Sequence, residues 1–381
     1  MKSSDPLDDA PIRDERFDLA ERLPGLLISA AAGTSEDVFR APGLILTKAQ
    51  LVDLKRYETR GLALPTSLSD VIVYLGYATG AGSNLEARDF QTTFNHIHQH
   101  AAKWNPLRTD LMNVGSELWV FADQMMTYAS GVRRLYDEVK AKPSENVDPQ
   151  DLADVLQYIQ QVASIVLQRR NGTESLKRRL DAFAEELSTA VMPQVQLKLR
   201  SIDTSHLQPD IQALIDTIER RGADIEEKQR EYKTLVKKSS LNIFALPGLG
   251  LYYSDEADKV RNQISALRQQ QEASVVQLEQ KNRIHASLHR VRCDLHDLSR
   301  VILDADIASQ NMVIVWNGLH TYLTHSIEEA GRIEDALSLR RLLNAFNLVA
   351  EPWGQIKRDA DTLLNVFKEA DQAFRKNYGH Q

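Results

Sequence analysis

The sequence predicts an all-α protein whose long helices pack antiparallel into an elongated bundle. Three observations carry that prediction. Apolar residues alternate spacings of four and three through whole segments, most cleanly at Leu107, Leu111, Val114, Leu118, Phe121, Met125, Tyr128, Val132, Leu135 and Val139. That repeat keeps one seam on one helix face. No segment alternates apolar and polar residues as a half-buried strand would. The helical patterns also run to roughly 50 residues, about 75 Å at 1.5 Å per residue. A compact domain of 381 residues has a radius of gyration of only about 21 Å.

Residues 1–40 read as a loosely ordered segment, with one short apolar piece from Leu23 to Ala32. Thr47 can cap a short helix that runs to Arg60 and stops at Gly61, and Pro65-Thr66-Ser67 opens a second, to about Tyr77. Ser83-Asn84-Leu85-Glu86 has capping-box spacing and predicts a helix start there. Asn105 and Pro106 suit the cap and first turn of the long helix that follows. Another long pattern covers 150–199, where Pro193 predicts a kink or an end. These segments, 41–204, form the expected body.

Residues 205–303 read as a projecting coiled-coil hairpin. Its outward rod carries Ile211, Leu214, Ile218, Ile225, Tyr232 and Leu235. Its return rod carries Val260, Ile264, Leu267, Leu278, Leu288, Val291, Leu295, Leu298 and Ile302. The return seam slips between Leu278 and Ile284, and Gln271 and Lys281 fall at core-like places, so this stretch is expected to pack weakly. Residues 304–381 are expected to pack back on the body, with a last helix bearing Trp353, Ile356, Ala360, Leu363, Phe367 and Phe374.

At the hairpin tip, residues 239–253 read SSLNIFALPGLGLYY. The stretch has no charge, yet it joins two highly charged rods, and connecting segments are normally polar. Burying one large apolar side chain is worth about 1.5–3 kcal/mol, so this tongue needs somewhere to be buried. One site is the protein itself, with the tongue folded back onto the bundle. The other is a bilayer. The tongue is too short for a transmembrane helix of about 20 residues but suits an interfacial tip. On that reading Leu241, Ile243, Phe244, Leu246, Leu249, Leu251, Tyr252 and Tyr253 contact membrane, with the two tyrosines at headgroup level. Lys237 and Lys238 reach anionic headgroups, and Pro247, Gly248 and Gly250 let the tip change conformation.

Composition narrows the function. Hydrophobic residues make up 43% and charged residues 26% of the chain, which is globular, and the net charge of −7 argues against a nucleic-acid partner. A single cysteine, Cys293, forms no intrachain disulfide. The start, MKSSDPLDDAPIRDERFDL, lacks the apolar core of a signal peptide. No Gly-rich phosphate loop, nucleophile elbow or Cys/His nucleophile pattern is present. His96 and His100 share a helix face as half of a possible zinc site, without a cluster to complete it. The expectation is a non-enzyme with no catalytic residue, cofactor or metal. Trp104, Trp119, Trp316 and Trp353 fall in helical patterns and read as core.

Two strings, APGLILTKAQLVDLKRYETRGLALPTS (41–67) and EPWGQIKRDADTLLNVFKEA (351–370), bracket the long helices and the apolar-tipped hairpin. Together they resemble the A component of the alpha-xenorhabdolysin binary cytotoxins, within the cytolysin A class of α-helical pore-forming toxins. The resemblance runs from about Arg40 to the C-terminus. It implies a five-helix-bundle protein, secreted here without a visible signal peptide, that binds a target-cell membrane. It also implies a second subunit, component B, and a hetero-oligomeric ring whose membrane-crossing helices come mostly from B. Carried onto this chain, the membrane-facing tip is 241–253, which is short enough to fit docking better than pore lining. The competing expectation is a cytoplasmic or secretion-associated helical scaffold with the tongue as a partner-binding plug.

Overall fold

The computed structural model describes residues 13–35, 38–79, 81–141, 147–202, 207–240 and 251–378, and among these it is helical with no strand. The helices are α1 (Glu15–Ala32), α2 (Lys48–Leu62), α3 (Leu68–Leu75), α4 (Ala87–Ala102), α5 (Trp104–Ala141), α6 (Pro149–Glu186), α7 (Met192–Ser201), α8 (Pro209–Ser240), α9 (Asp255–Lys281), α10 (Arg283–Ala330), α11 (Ala336–Ala350) and α12 (Trp353–Tyr378).

The body is built around α5, α6, α10 and α12. Helix α10 lies along α6, and α5 packs against α6, α11 and α12. The α5 seam predicted from spacing is the buried face: Leu107, Leu111, Val114, Leu118, Phe121, Met125, Val132, Leu135 and Val139 are all buried, while Tyr128 is half-buried. At its centre Phe121 sits edge-on to Trp316 and Trp353, with ring centroids at 5.3 and 4.7 Å, the offset geometry aromatic rings prefer. Trp104 is also fully buried, and half-buried Trp119 lies under the Lys357 ammonium. The tryptophans thus serve packing, as their helical spacing predicts.

Pro193 is accommodated without a break. Residues Leu187–Val191 form a π-helical turn just ahead of it, joining α6 to α7. The wider turn absorbs the carbonyl that a proline cannot satisfy.

The structure departs from the sequence reading in three places. First, residues 15–32 are an ordered helix. Asp14 caps it by accepting from the Phe17 N–H, and Gly33 ends it in the left-handed region at φ 71°. Helix α1 buries Phe17, Leu23, Leu27 and Ile28 against α10, α11 and α12. Its apolar stretch is long enough to pack, which outweighs the polar flank that suggested loose order. Second, α4 starts at Ala87, capped by Glu86 and Asp89, because Gly82 (φ 98°) and Asn84 (φ 66°) hold Ser83 in a turn.

Third, the return rod is not continuous, and the foot of the tongue lies against the body. The chain breaks at Asn282 (φ −149°, ψ 96°), whose side chain accepts from the His285 N–H and caps α10. Helix α9 therefore doubles back beside α10, and α8 runs alongside both. The break falls in the stretch where the heptad slips. The α8–α9–α10 layer has apolar packing at both ends and polar packing between. One end is a small separate cluster around Ile211, Ile215, Ile218, Val275, Leu278 and Ala286. The other joins the main core through Tyr232, Val236, Ala257, Val260 and Ile264. Between them the Gln271 amide donates to the Ile218 carbonyl at 3.0 Å, and Arg221 donates to the Gln270 carbonyl and the Ser274 hydroxyl, both at 2.6 Å.

Candidate functional site: the docked base of the tongue

Residues 251–253 form one 3-10 turn at the foot of α9. The Ser254 hydroxyl caps α9 by accepting from the Ala257 N–H, which fixes where the tongue stops and the helix starts. Ahead of that turn the expected membrane-contact and hinge residues Leu241, Ile243, Phe244, Leu246, Pro247, Gly248, Leu249 and Gly250 lie outside the described residues. Lys237 and Lys238 lie in the last turns of α8, where only the backbone is described; the same holds for Leu251 in the 3-10 turn.

Tyr252 and Tyr253 are 1% and 3% exposed, packed edge-to-face with ring centroids 4.9 Å apart. Neither stands at a surface in this conformation. A headgroup-level position would require both to leave this site.

Four elements build the site. From the segment before α2, the Arg40 guanidinium lies 5.1 Å above the Tyr252 ring and 5.9 Å from that of Tyr253. Arg40 is itself 4% exposed and is held by the Gly43 carbonyl at 2.7 Å and the Ile45 carbonyl at 3.0 Å. From α9, Arg261 donates to the Tyr252 carbonyl at 3.0 Å and to the Tyr232 hydroxyl at 3.1 Å. From α8, the Tyr232 hydroxyl donates to Asp304 Oδ1 at 2.6 Å. From α10, Asp304 is 0% exposed. Its other carboxylate oxygen accepts from the Gln50 amide, and its backbone carbonyl accepts from the Tyr252 hydroxyl at 3.4 Å.

Gln50 works twice. Its Oε1 accepts from the Thr47 N–H at 2.8 Å and closes the capping box of α2. Its amide nitrogen meets Asp304. The first turn of α2 is thereby tied to the carboxylate at which the hairpin docks.

The electrostatics follow from burial. Desolvation raises the Tyr232 and Tyr252 hydroxyls well above the ordinary phenol range, so both stay protonated and act as donors. The Tyr253 hydroxyl is buried with no hydrogen-bond partner among the described residues. Such an orphan costs about 1–3 kcal/mol, so part of the benefit of burying the second tyrosine is offset.

A second row of polar contacts runs down the same face. Asp294 accepts from Arg60 at 2.8 Å and pairs with Arg56, which also meets Asp297 at 3.1 Å. Arg268 of α9 pairs with Asp297. His289 and His296 are buried opposite Glu219 (3.6 Å) and Glu226 (3.5 Å) of α8. Open grooves run between α8 and the body helices beside it. One, of about 630 Å³, is lined by Asp181, Glu185, Gln229 and Arg300 among others. The other, of about 550 Å³, is lined by Arg200, Glu219 and Arg292 among others. Hairpin and body thus meet through buried polar and charged groups as well as through the apolar residues that join the main core.

The candidate zinc pair does not converge. His100 is fully buried and stacked on Phe183 at 4.0 Å. One ring nitrogen accepts from the Tyr57 hydroxyl at 2.7 Å and the other donates to the Phe183 carbonyl at 3.0 Å. His96 instead meets Gln194. Among the described residues no group of three His, Cys, Asp or Glu side chains could hold a metal ion, and no helix is long and apolar enough to cross a membrane. Burial pushes the Cys293 thiol up to about 12, which leaves it unreactive.

No protein-family profile and no curated protein matches the sequence. Solved structures do match. YaxA from Yersinia enterocolitica and a chain of the YaxAB pore complex each align over 88% of this chain and 100% of theirs, at 22% identity and a TM-score of 0.50. XaxA from Xenorhabdus nematophila aligns over 88% and 99%, at 21% identity and a TM-score of 0.50. Soluble SmhA of the tripartite α-pore-forming toxin Smh from Serratia marcescens aligns over 92% and 96%, at 14% identity and a TM-score of 0.53. The chain has the fold of the α-pore-forming toxin components. The fold expected from the two bracketing strings is therefore the fold observed, with the return rod broken at Asn282.

Sequence reasoning found Tyr232, Tyr252 and Tyr253 but not Arg40, Gln50, Arg261 or Asp304. Asp304 left one signal, a lone carboxylate in the otherwise apolar register of Val301, Ile302, Ala305 and Ile307. Arg40 left none, because its role depends on where the chain turns after Gly33.

Proposed function

We propose that this chain is the stored form of a soluble subunit of a two-component pore-forming cytotoxin. It is secreted and docks on a target membrane through the hairpin tip. The tip is residues 241–253, with Lys237 and Lys238 at headgroups and Pro247, Gly248 and Gly250 as its hinge. Once docked, the chain recruits component B into a hetero-oligomeric ring. The observation that carries this reading is the contrast at the hairpin. An uncharged apolar tongue ends in a foot that a hydrogen-bonded network around buried Asp304 helps to hold against the body. Apolar burial holds a tip where it is, while hydrogen-bonded charge can be rehydrated at modest net cost. Such a hairpin can change partners from protein to lipid. The shared fold with YaxA and XaxA supports the reading.

Sedimentation with liposomes tests it. The wild-type chain is expected to bind without releasing dye, and the F244D/L246D variant to lose binding while keeping its helicity. Equal binding by both overturns the tip assignment. The docking of Tyr252 and Tyr253 is also what a scaffold with a plug requires. That second reading gains if neither form binds lipid and added vesicles leave the tongue protected from protease.

A further inference from the structure

The N-terminal part of the chain encloses the tongue base from outside. After α1 ends at Gly33 the chain reverses, and the Gly43 N–H donates to the Ala31 carbonyl at 2.9 Å. The return stretch lies across the 3-10 turn, where the Phe39 N–H donates to the Tyr253 carbonyl at 3.1 Å. Arg40 covers both tyrosine rings. The strap turns tightly at Gly43, just past its contacts with the 3-10 turn. A Cβ on Gly43 would stand 2.2 Å from the Leu46 carbonyl oxygen, so no other residue fits there. Leu44, Ile45 and Leu46 are buried, and Thr47 with Gln50 locks the far end to α2. The near end is held by α1, whose Phe17 packs edge-on against Tyr322 of α10 at 6.1 Å. The strap is thus anchored to the body at both ends, while the tongue base lies beneath it.

We infer that α1 and residues 38–46 form an autoinhibitory clip, which keeps the hairpin docked until the strap lifts from Tyr252 and Tyr253. Arg40 is its closing residue. It supplies the cation over the two rings, and its own hydrogen bonds shape the strap. The consequence for membranes rests on the function proposed above, but the clip itself does not. Both ends of the strap can stay in place while only 39–40 move, because among the described residues 39–40 hold the turn by a backbone hydrogen bond and a ring-facing guanidinium.

Amide hydrogen exchange of the full chain reads the clip directly. In Arg40→Ala, amides of 252–258 are expected to exchange about tenfold faster or more, the equivalent of losing one charge-assisted contact. Amides of α5 and α6 should be unchanged. Unchanged exchange at 252–258 in a folded R40A protein overturns the proposal. The F39C/Y253C pair, in a Cys293→Ser background, guards against a variant that fails to fold. Its disulfide is expected to slow exchange at 252–258 and to block binding to mixed phosphatidylcholine–phosphatidylglycerol vesicles, with both effects reversed on reduction. Equal exchange in oxidised and reduced protein also overturns the clip. If exchange responds but neither form binds vesicles, the clip stands and the membrane reading falls.

Discussion

Tyr232 donates to Asp304 at 2.6 Å, linking a hairpin helix to a body helix at a carboxylate with no exposed surface. Arg261 donates to the same hydroxyl at 3.1 Å, so this phenol mediates between a buried cation and a buried anion. Tyr232→Phe keeps the ring and removes the bridge. A hydrogen bond to a charged partner is worth about 1.5–3 kcal/mol. Urea unfolding followed by circular dichroism should show a loss of about that size, and exchange should rise first in α8 and α9. A loss below about 0.5 kcal/mol would mean that water replaces the hydroxyl freely.

The hairpin should loosen in acid. Burial is the main cause that pushes His289 down to about 3 and His296 down to about 4, with Arg292 adding to both, His285 to the first and Arg268 to the second. Glu219 and Glu226 face them from α8, but both carboxylates are 47% exposed and Glu219 already pairs with Arg292 at 2.7 Å. Burial and the arginines therefore outweigh them. Above about pH 6.5 both histidines are neutral whether docked or free, and no penalty exists. Below it, the free form takes up protons that the docked form refuses. Docking then loses up to about 1.4 kcal/mol per histidine for each pH unit, levelling off near the docked values. Exchange in α8 should rise between pH 6.5 and 4.5, and H289Q/H296Q should flatten that rise. A flat wild-type profile would show that the two glutamates prevail.

Asn282 is a test of what bends the return rod. Neither neighbour, Lys281 or Arg283, disfavours helix, and Asn282 stabilises the break by capping α10. Asn282→Ala removes a cap worth about 1 kcal/mol and favours one continuous helix. The maximum dimension from small-angle scattering should increase. An unchanged profile would assign the bend to the Arg268–Asp297 layer instead.

His100 uses both ring nitrogens inside the protein. His100→Ala should cost about 2–4 kcal/mol through lost packing and an unpaired Tyr57 hydroxyl. Metal content measured on the purified wild-type chain and on the variant should be the same. A bound metal lost with His100 would revive the zinc reading.

Much of this molecule was legible in its sequence because helix seams are local. The spacing from Leu107 to Val139 predicted the buried face of α5, and the seam slip between Leu278 and Ile284, read as weak packing, coincides with the break at Asn282. What could not be read is which way a broken rod turns. That depends on partners far along the chain, such as Arg268 with Asp297 or Tyr232 with Asp304. Arg40 is the extreme case, as its contacts are with the adjoining strap and with residues more than two hundred positions away.

The one-residue break at Asn282 also sets a length. Helix α9 has 27 residues, an arm of about 40 Å. Reversing that arm about its pivot would carry its outer end through about twice its length, some 80 Å along the axis of α10. A bilayer with its headgroups is about 40–45 Å thick. Swinging the hairpin about this break would therefore displace the tongue by more than a bilayer's thickness, which is the reach that the membrane docking proposed above requires.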